Sequence, residues 1–477
     1  METSQRGVTY DEVPYNSLPF RACHPETIGV VAAMEGLTPA PVRRCRVLEI
    51  GCASGGHLLP MAAAYGDSHF VGVDLSSVQI TRARELAEAA DLRNVALHAQ
   101  DICQFTPDGE FDFIIAHGVY SWAPAPVRQR LFDVCARHLS PRGAAIISYM
   151  VYPGAYVWCA LRHAMQLGTR DLPPGEVAPE ARHIAQVLAD ASPRLAPRWG
   201  PVVAKWSKDL SAYADRTLLH DQLEAVYYPV YFTEFVDQAA ASGLRYLSDA
   251  TRDDIKNVAG GAREQIEKLT GDPILRAQYV DIAGFRMFRQ SILCRKDAAL
   301  TPADPLGVVE RAHLSSDKFL PGASSAKQTV PKLELNSLSP LGQAVYRELS
   351  ARWPRTISFP ELRSRVSTTS APGGDRTLAT FIHQLHTAGQ VELWMDEPTF
   401  IDNGSDPKRA RVTKLARVQA AKGIPVTNLR HEAFSGADDL ARRMVASLDG
   451  SEPSADVLKH IPTLARHSML VNQNIRE

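Results

Sequence analysis

From Arg46 to Val151 the chain alternates apolar, strand-like runs with amphipathic helical ones: CRVLEIG, HLLPMAAAY, HFVGVDL, VQITRARELAEAA, NVALHAQD, FDFIIAHG, APVRQRLFDVCARHL and GAAIISYMV. Parallel strands must be joined by long crossovers, usually helices, so this order implies βαβ units around a parallel sheet with helices on both faces. Five strands fall in this stretch. The expected fold class is α/β, with a Rossmann-like sheet at its centre.

The alternation then stops. Positions 152 to 228 read as helical, interrupted by loops at Asp171 to Gly175 and Ser192 to Pro201. Sheet-like signals return at Leu244 to Ser248 and in FRMFRQSILCR, which ends at Arg295, with a helix near Phe232 to Ala241 before them. Positions 152–228 are therefore expected to form a helical cap, inserted between the fifth and sixth strands over the carboxyl ends of the sheet, where ligands bind in open α/β folds. On this reading residues 1–45 form an N-terminal segment and 46–297 the sheet domain. Residues 298–337, rich in Pro, Ser, Ala and Lys, form a linker. Helices at Pro340 to Arg352, Phe359 to Ser367 and Arg376 to Ala388, followed by the strand QVELWM, suggest a winged-helix-like α+β module over 338–402. A basic segment and a helical module occupy 403–477.

Several function classes are excluded at this stage. At 477 residues the chain is too long for one core, and roughly two to four domains are expected. With 52 Lys plus Arg against 53 Asp plus Glu, the molecule as a whole has no electrostatic bias toward nucleic acid or anionic membrane. The most apolar stretch, Gly143 to Leu161, is broken by Pro153 and carries Tyr149, Tyr152 and Tyr156, a poor membrane span. Seven cysteines without CxxC pairs, and an N-terminus without an apolar run, fit reduced thiols and a cytoplasmic location. No Cys/His cluster indicates a metal. Six basic residues, Lys408, Arg409, Arg411, Lys414, Arg417 and Lys422, permit a phosphate contact. The helix at Arg376 to Ala388 nevertheless has no run of Arg or Lys to enter a groove, so a docking or dimerising role is favoured over nucleic-acid binding.

The chemistry is concentrated in VLEIGCASGGHL. A strand ending at Glu49 runs into Gly51, Ala53, Gly55 and Gly56 and opens a helix, so the backbone can approach a ligand closely and offer free N–H groups. Asp74 closes the next strand, where a carboxylate accepts hydrogen bonds from ribose hydroxyls, and Asp101, beside Ile102, follows the third. An acid at position 49 would repel a dinucleotide's pyrophosphate, whereas it suits the cationic sulfonium and amino groups of S-adenosylmethionine. Cys52, inside this turn, reads as a small buried residue rather than a nucleophile.

At these residues the sequence resembles class I S-adenosylmethionine-dependent methyltransferases. TYDEVPYNSLPF with His24-Pro25, IIAHGVYSW, YYPVYFTEF, GLRYLSDA and QYVDIAGFRMFRQSILC resemble those carrying a methyltransferase regulatory domain, a group that includes rickettsial outer-membrane-protein lysine methyltransferases. The similarity covers most of residues 8 to 296, with weaker likeness in TKLARVQAAKG and VTNLRHEAF. It implies a regulatory region at about 210–297. It also implies a cofactor site of Tyr15, Glu49, Gly51, Ala53, Gly55, Asp74, Leu75, Asp101, Ile102 and His117, with Tyr10, Pro19, Phe20 and His24 in a segment folded over the cofactor. The chain departs from the family at Ala53, where a glycine is usual and a negative φ is expected, and at Met150 and Ala155, where Asn and Trp are usual.

Methyl transfer asks a protein mainly to align acceptor and methyl and to exclude water. A lysine acceptor, with a reference pKa of about 10.4, must lose its proton, and aromatic surroundings favour the neutral amine. His117, Tyr120, Trp122 and Tyr149 are the candidate catalytic residues, with Tyr152 a further aromatic; packing alone is the alternative for Trp122 and Tyr149. The expected activity is methyl transfer to a nucleophilic acceptor, a protein lysine first and a small biosynthetic molecule second. A non-catalytic cofactor-binding regulator is the rival from another class. The expected partners are the acceptor and, as a homodimer, a second copy of the chain.

Overall fold

The computed structural model describes residues 11, 15, 17–250, 262–318, 338–366, 374–399, 401, 406–434 and 439–471. Tyr10 and positions 319–337, the second part of the expected linker, lie outside them.

A seven-stranded sheet has the order β3-β2-β1-β4-β5-β7-β6. Its strands are β1 (Arg46–Ile50), β2 (His69–Asp74), β3 (Val95–Ala99), β4 (Phe111–Ala116), β5 (Leu139–Met150), β6 (Leu244–Asp249) and β7 (Phe288–Arg295). The first five pair in parallel, while β7 runs antiparallel to both β5 and β6. The order reverses between β1 and β4, which opens a crevice at the carboxyl ends of these strands.

Period-two alternation explains how the sheet is sandwiched. Val47, Phe113, Ile115, Ile146 and Ile292 pack on one face with α1 (Pro25–Met34), α2 (Leu58–Ala64) and α3 (Ser77–Ala89). Leu48, Ile114, Ile147 and Leu293 pack on the other with α4 (Ala125–His138) and the helix Phe232–Ala241. Glu49 breaks the apolar run of β1 at its carboxyl end, in the crevice.

The cap stands where expected, between β5 and β6. It consists of α5 (Ala155–Thr169), α6 (Pro174–Leu195), α7 (Gly200–Ser211) and a π-turn at Leu218–Gln222. The expected loop at Ser192 to Pro201 is shorter, because α6 continues through Pro179 and Pro193. Helix α8 (Phe232–Ala241) precedes β6, and α9 (Ala262–Leu269) and α10 (Pro273–Gly284) bridge β6 to β7.

The linker assignment needs correction. Residues 305–315 are folded, with α11 (Pro305–Arg311) and β8 (His313–Ser315), because Val308, Val309 and Leu314 bury against Val30 and Met34 of α1 and against the C-terminal helices. Those helices are α12 (Pro340–Arg352), α13 (Phe359–Val366) and α14 (Gly374–Thr387). Strand β8 is the centre of a second, antiparallel sheet of order β10-β8-β9, flanked by β9 (Ile357–Ser358) and β10 (Glu392–Trp394). The basic segment folds back on the sheet domain: α15 (Lys414–Ala421) places Leu415 in its core, and Lys414 pairs with Asp91 of the turn after α3. Among the described residues no helix is long and apolar enough to cross a membrane.

Candidate active site

The crevice is a cavity of about 920 Å³, walled by the strand ends, the N-terminal segment and the cap. At its base the chain leaves β1 through Gly51, at φ 76°, whose N–H donates to the Val73 carbonyl at 2.8 Å. Asp74 fixes the turn: one carboxylate oxygen accepts from the Ala53 N–H at 2.8 Å and the other from the Ser76 N–H at 2.9 Å. Ala53 sits at φ 46°, in the left-handed region and not at the negative value expected, with its N–H donated to Asp74. Gly55, at φ 78°, shapes the turn and does not line the cavity.

The N-terminal segment closes over this loop. Ser17 Oγ accepts from the Gly56 N–H at 2.7 Å, the Phe20 N–H donates to His57 Nδ1 at 3.2 Å, and Ser76 Oγ donates to Asp11 at 2.5 Å. Tyr15 and Phe20 line the cavity, whereas Pro19 and His24 do not. His24 instead caps α1 through Glu26 N.

Glu49, Gly51, Ala53, Asp74, Leu75, Asp101, Ile102, His117 and Trp122 all line the cavity, so nearly the whole expected cofactor set converges. Tyr120 and Tyr149 do not. Tyr149 stacks on Phe235 at 3.8 Å and shares a hydrogen bond with Ser291 at 2.8 Å, in the core on the far face of the sheet. Tyr120 is fully buried and donates to Gln238 at 2.7 Å, and Tyr152 stacks on Tyr156. Of the aromatic candidates Tyr120, Trp122, Tyr149 and Tyr152, Trp122 alone lines the cavity. His57, Gln79, Asp221 and Gln222 line the cavity without having been singled out. Of these, His57 alone carried a signal, directly following the Gly-rich turn.

Burial sets the electrostatics. It raises the Glu49 carboxyl to about 8, with the nearby Asp74 adding to the shift, and it raises Asp74 despite the two N–H bonds. His57 is lowered to about 3 and His117 to about 4, so both are neutral imidazoles at pH 7. His117 lies 3.9 Å from Phe20, ring to ring, and 3.5 Å from Cys23 Sγ, positions that suit orienting a ligand rather than taking up protons. Cys52 is buried, and its thiol is raised further by Glu49.

Among the described residues, three buried polar atoms at this end have no partner: the acceptors Glu49 Oε2 and Gln79 Oε1, and His57 Nε2. His57 Nδ1 accepts from Phe20, so Nε2 carries the proton and is a donor. Leaving such groups unpaired costs about 1–3 kcal/mol each. Glu49 Oε2 as acceptor and His57 Nε2 as donor match the amino and carboxylate groups at the amino-acid end of S-adenosylmethionine, and Gln79 Oε1 is a further acceptor. Asp74 keeps lone pairs for ribose hydroxyls, and Leu75, 76% exposed, offers an apolar cover for an adenine.

A methyltransferase-domain model matches residues 47–143 and a predicted methyltransferase regulatory domain matches 214–295. The chain is 30% identical over 480 residues to the uncharacterized protein RP789 of Rickettsia prowazekii, covering 95% of this chain and 85% of that one. It is 30% identical over 242 residues to RP028 of the same organism, covering 50% of this chain and 97% of that one. PKMT2 from Rickettsia typhi shares the fold with a TM-score of 0.82 at 20% identity, over 96% of this chain and 100% of that one, and its structure is also known in complex with AdoHcy. Fold and site together define an S-adenosylmethionine-dependent methyltransferase. The chain belongs to the family in which a class I methyltransferase domain is joined to a methyltransferase regulatory domain.

Proposed function

We propose that this enzyme methylates the ε-amine of a protein lysine. The observation that carries the reading is the half of the cavity beneath the cap, where Trp122, Met150, Trp158, Met287 and Phe288 form apolar walls beside the cofactor loop. Such walls accept an alkyl chain and strip water from the amine at its end, which lowers its pKa toward the neutral, nucleophilic form. The shared architecture with PKMT2, including the C-terminal modules, supports a macromolecular acceptor.

Glu49 and His57 would hold the amino-acid end of S-adenosylmethionine, Asp74 its ribose, and Leu75, Asp101 and Ile102 its base. Gly51 and Ala53 let the backbone approach, and Tyr15 and His117 close the site near the reacting carbon. S-adenosylmethionine held there would supply an electrophilic methyl, so that the lone pair of the neutral amine would form the new C–N bond as the C–S bond breaks and its electron pair stays on sulfur. The residues around it align the acceptor, and the N-terminal segment and cap exclude water.

The helix–strand–helix–helix–strand order from α12 to β10 supports a winged-helix-like reading of the C-terminal module, which we assign to docking the protein partner or a second copy of the chain rather than nucleic acid. The test is incubation of bacterial extract with labelled methyl donor, followed by acid hydrolysis. Label in N-methyl-lysines is the expected result. Label confined to small molecules would favour a biosynthetic role, and no transfer from a cofactor-binding protein would favour the regulator.

A further inference from the structure

The cap side of the cavity presents hydrogen-bond acceptors in an otherwise apolar wall. A π-turn, Leu218–Gln222, brings Asp221 and Gln222 into that wall, and Glu224 follows. Insertions of this kind re-aim side chains and recur at functional sites.

The neighbouring donors are already engaged. Arg162 donates to the main-chain carbonyls of Asp221 at 2.9 Å and Glu224 at 2.6 Å, and Trp122 Nε1 donates to the Asp221 carbonyl at 3.4 Å. These bonds hold the turn by its backbone. Among the described residues the Asp221 carboxylate is left with Tyr15, whose hydroxyl donates at 3.3 Å, and Gln222, 3% exposed, lines the same cavity with its Oε1 unpartnered.

We propose that the cap half of the cavity is a subsite for a cationic alkylamine, in which Asp221 holds the arriving ammonium and Gln222 Oε1 accepts a second of its hydrogens. The inference rests on the methyltransferase reading and deepens it by assigning the acceptor's charge to named residues. An ammonium carries three donors and no acceptor, which matches a wall of two carboxylates and an orphan amide oxygen. A carboxylate or phosphate acceptor would face Asp221 and Glu224 with like charge. Trp122 and Trp158 supply faces that suit both the alkyl chain and the cation.

The charged and titratable groups around Asp221 include Tyr15, Tyr213 and Arg162, with Glu224 in the same wall. Burial raises the Asp221 carboxyl to about 6, opposed by the Tyr15 hydrogen bond and by Arg162, so it is mostly ionised at pH 7. Asp221 is a positioning and specificity residue: its carboxylate favours the arriving ammonium, and the amine gives up its proton to solvent only on moving from Asp221 toward the apolar wall beside the cofactor loop, where burial favours the neutral form.

The experiment is calorimetric titration of the full chain, saturated with S-adenosylhomocysteine, using 1-aminohexane and hexan-1-ol as probes. The ammonium should bind saturably and the alcohol at least about tenfold more weakly. Asp221→Asn should weaken 1-aminohexane about tenfold or more while leaving S-adenosylhomocysteine affinity within about twofold, and Gln222→Glu should tighten it. Equal affinity for both probes, or unchanged affinity in both variants, overturns the subsite. Failure of S-adenosylhomocysteine itself to bind overturns the methyltransferase reading and the subsite with it, a result distinguishable because it appears before any amine is added.

Discussion

With the cofactor's amino group placed on Glu49 as proposed, cofactor binding becomes a proton-releasing reaction. In the free protein burial holds the Glu49 carboxyl at about 8, so at pH 7 roughly 0.9 of it is protonated. A cationic group bound against the orphan Oε2 favours the carboxylate and drives that proton off. Binding at pH 7 should therefore release about 0.9 proton more in the native protein than in Glu49→Gln, which lacks the titrating group. His57 and His117 add nothing to the difference, because both are already neutral. The affinity advantage of Glu over Gln should grow by up to about tenfold per pH unit approaching pH 8 from below and level off above it. The same shift has a stability consequence of known sign. A carboxyl raised from 4.5 to about 8 on folding keeps its proton longer in the native state, so the free protein loses stability as pH rises across that window, and bound cofactor offsets the loss. The assay is titration of both proteins with S-adenosylhomocysteine in phosphate and in Tris, whose ionisation enthalpies differ widely. A difference in observed heat between buffers that is the same for native protein and Glu49→Gln would refute the reasoning.

Three further substitutions have defined outcomes. Asp74→Ala removes a carboxylate that accepts two backbone N–H bonds at 2.8 and 2.9 Å, and should lower cofactor affinity at least about tenfold in calorimetry. Ala53→Gly relieves a left-handed alanine at φ 46° and should raise stability by about 1 kcal/mol in urea unfolding with catalysis retained; a loss of stability would contradict the strain argument. Tyr149→Phe keeps the stack on Phe235 and loses the bond to Ser291, so it should cost about 1 kcal/mol of stability and leave KM for cofactor and acceptor unchanged. A large fall in kcat would restore Tyr149 to the active site.

The lining of the strand-end half of the cavity was legible in the sequence because its determinants are local. Strand ends, a glycine turn and an acid at each strand's carboxyl end lie within a few residues of one another, and period-two alternation places them on one edge of the sheet. The acceptor half was not. Asp221 and Gln222 depend on a π-turn that no helical or strand period announces, and Tyr120 and Trp122, two residues apart in one 3₁₀ turn, point to core and cavity respectively. Nothing in YSW distinguishes them. Tyr149 lies beside cavity-lining Met150, but the alternation of β5 turns its ring to the opposite face, where Phe235 from a distant helix receives it. The short helix and strand at 305–315 were hidden in a Pro- and Ser-rich stretch, since their stability comes from packing on α1 and the C-terminal helices rather than from periodicity of their own. Likewise, the contact of His431 with His57 at 2.5 Å, which ties the C-terminal module to the cofactor loop, joins residues far apart in sequence.

The central claim is that one cavity holds S-adenosylmethionine at its strand-end side and an amine at its cap side, and a crystal structure of the chain with S-adenosylhomocysteine and 1-aminohexane tests it most directly. The account predicts the cofactor's amino group on Glu49 Oε2, its ribose on Asp74 and the ammonium on Asp221. A cofactor bound outside this crevice, or with Glu49 and Asp74 turned away from it, would contradict the account.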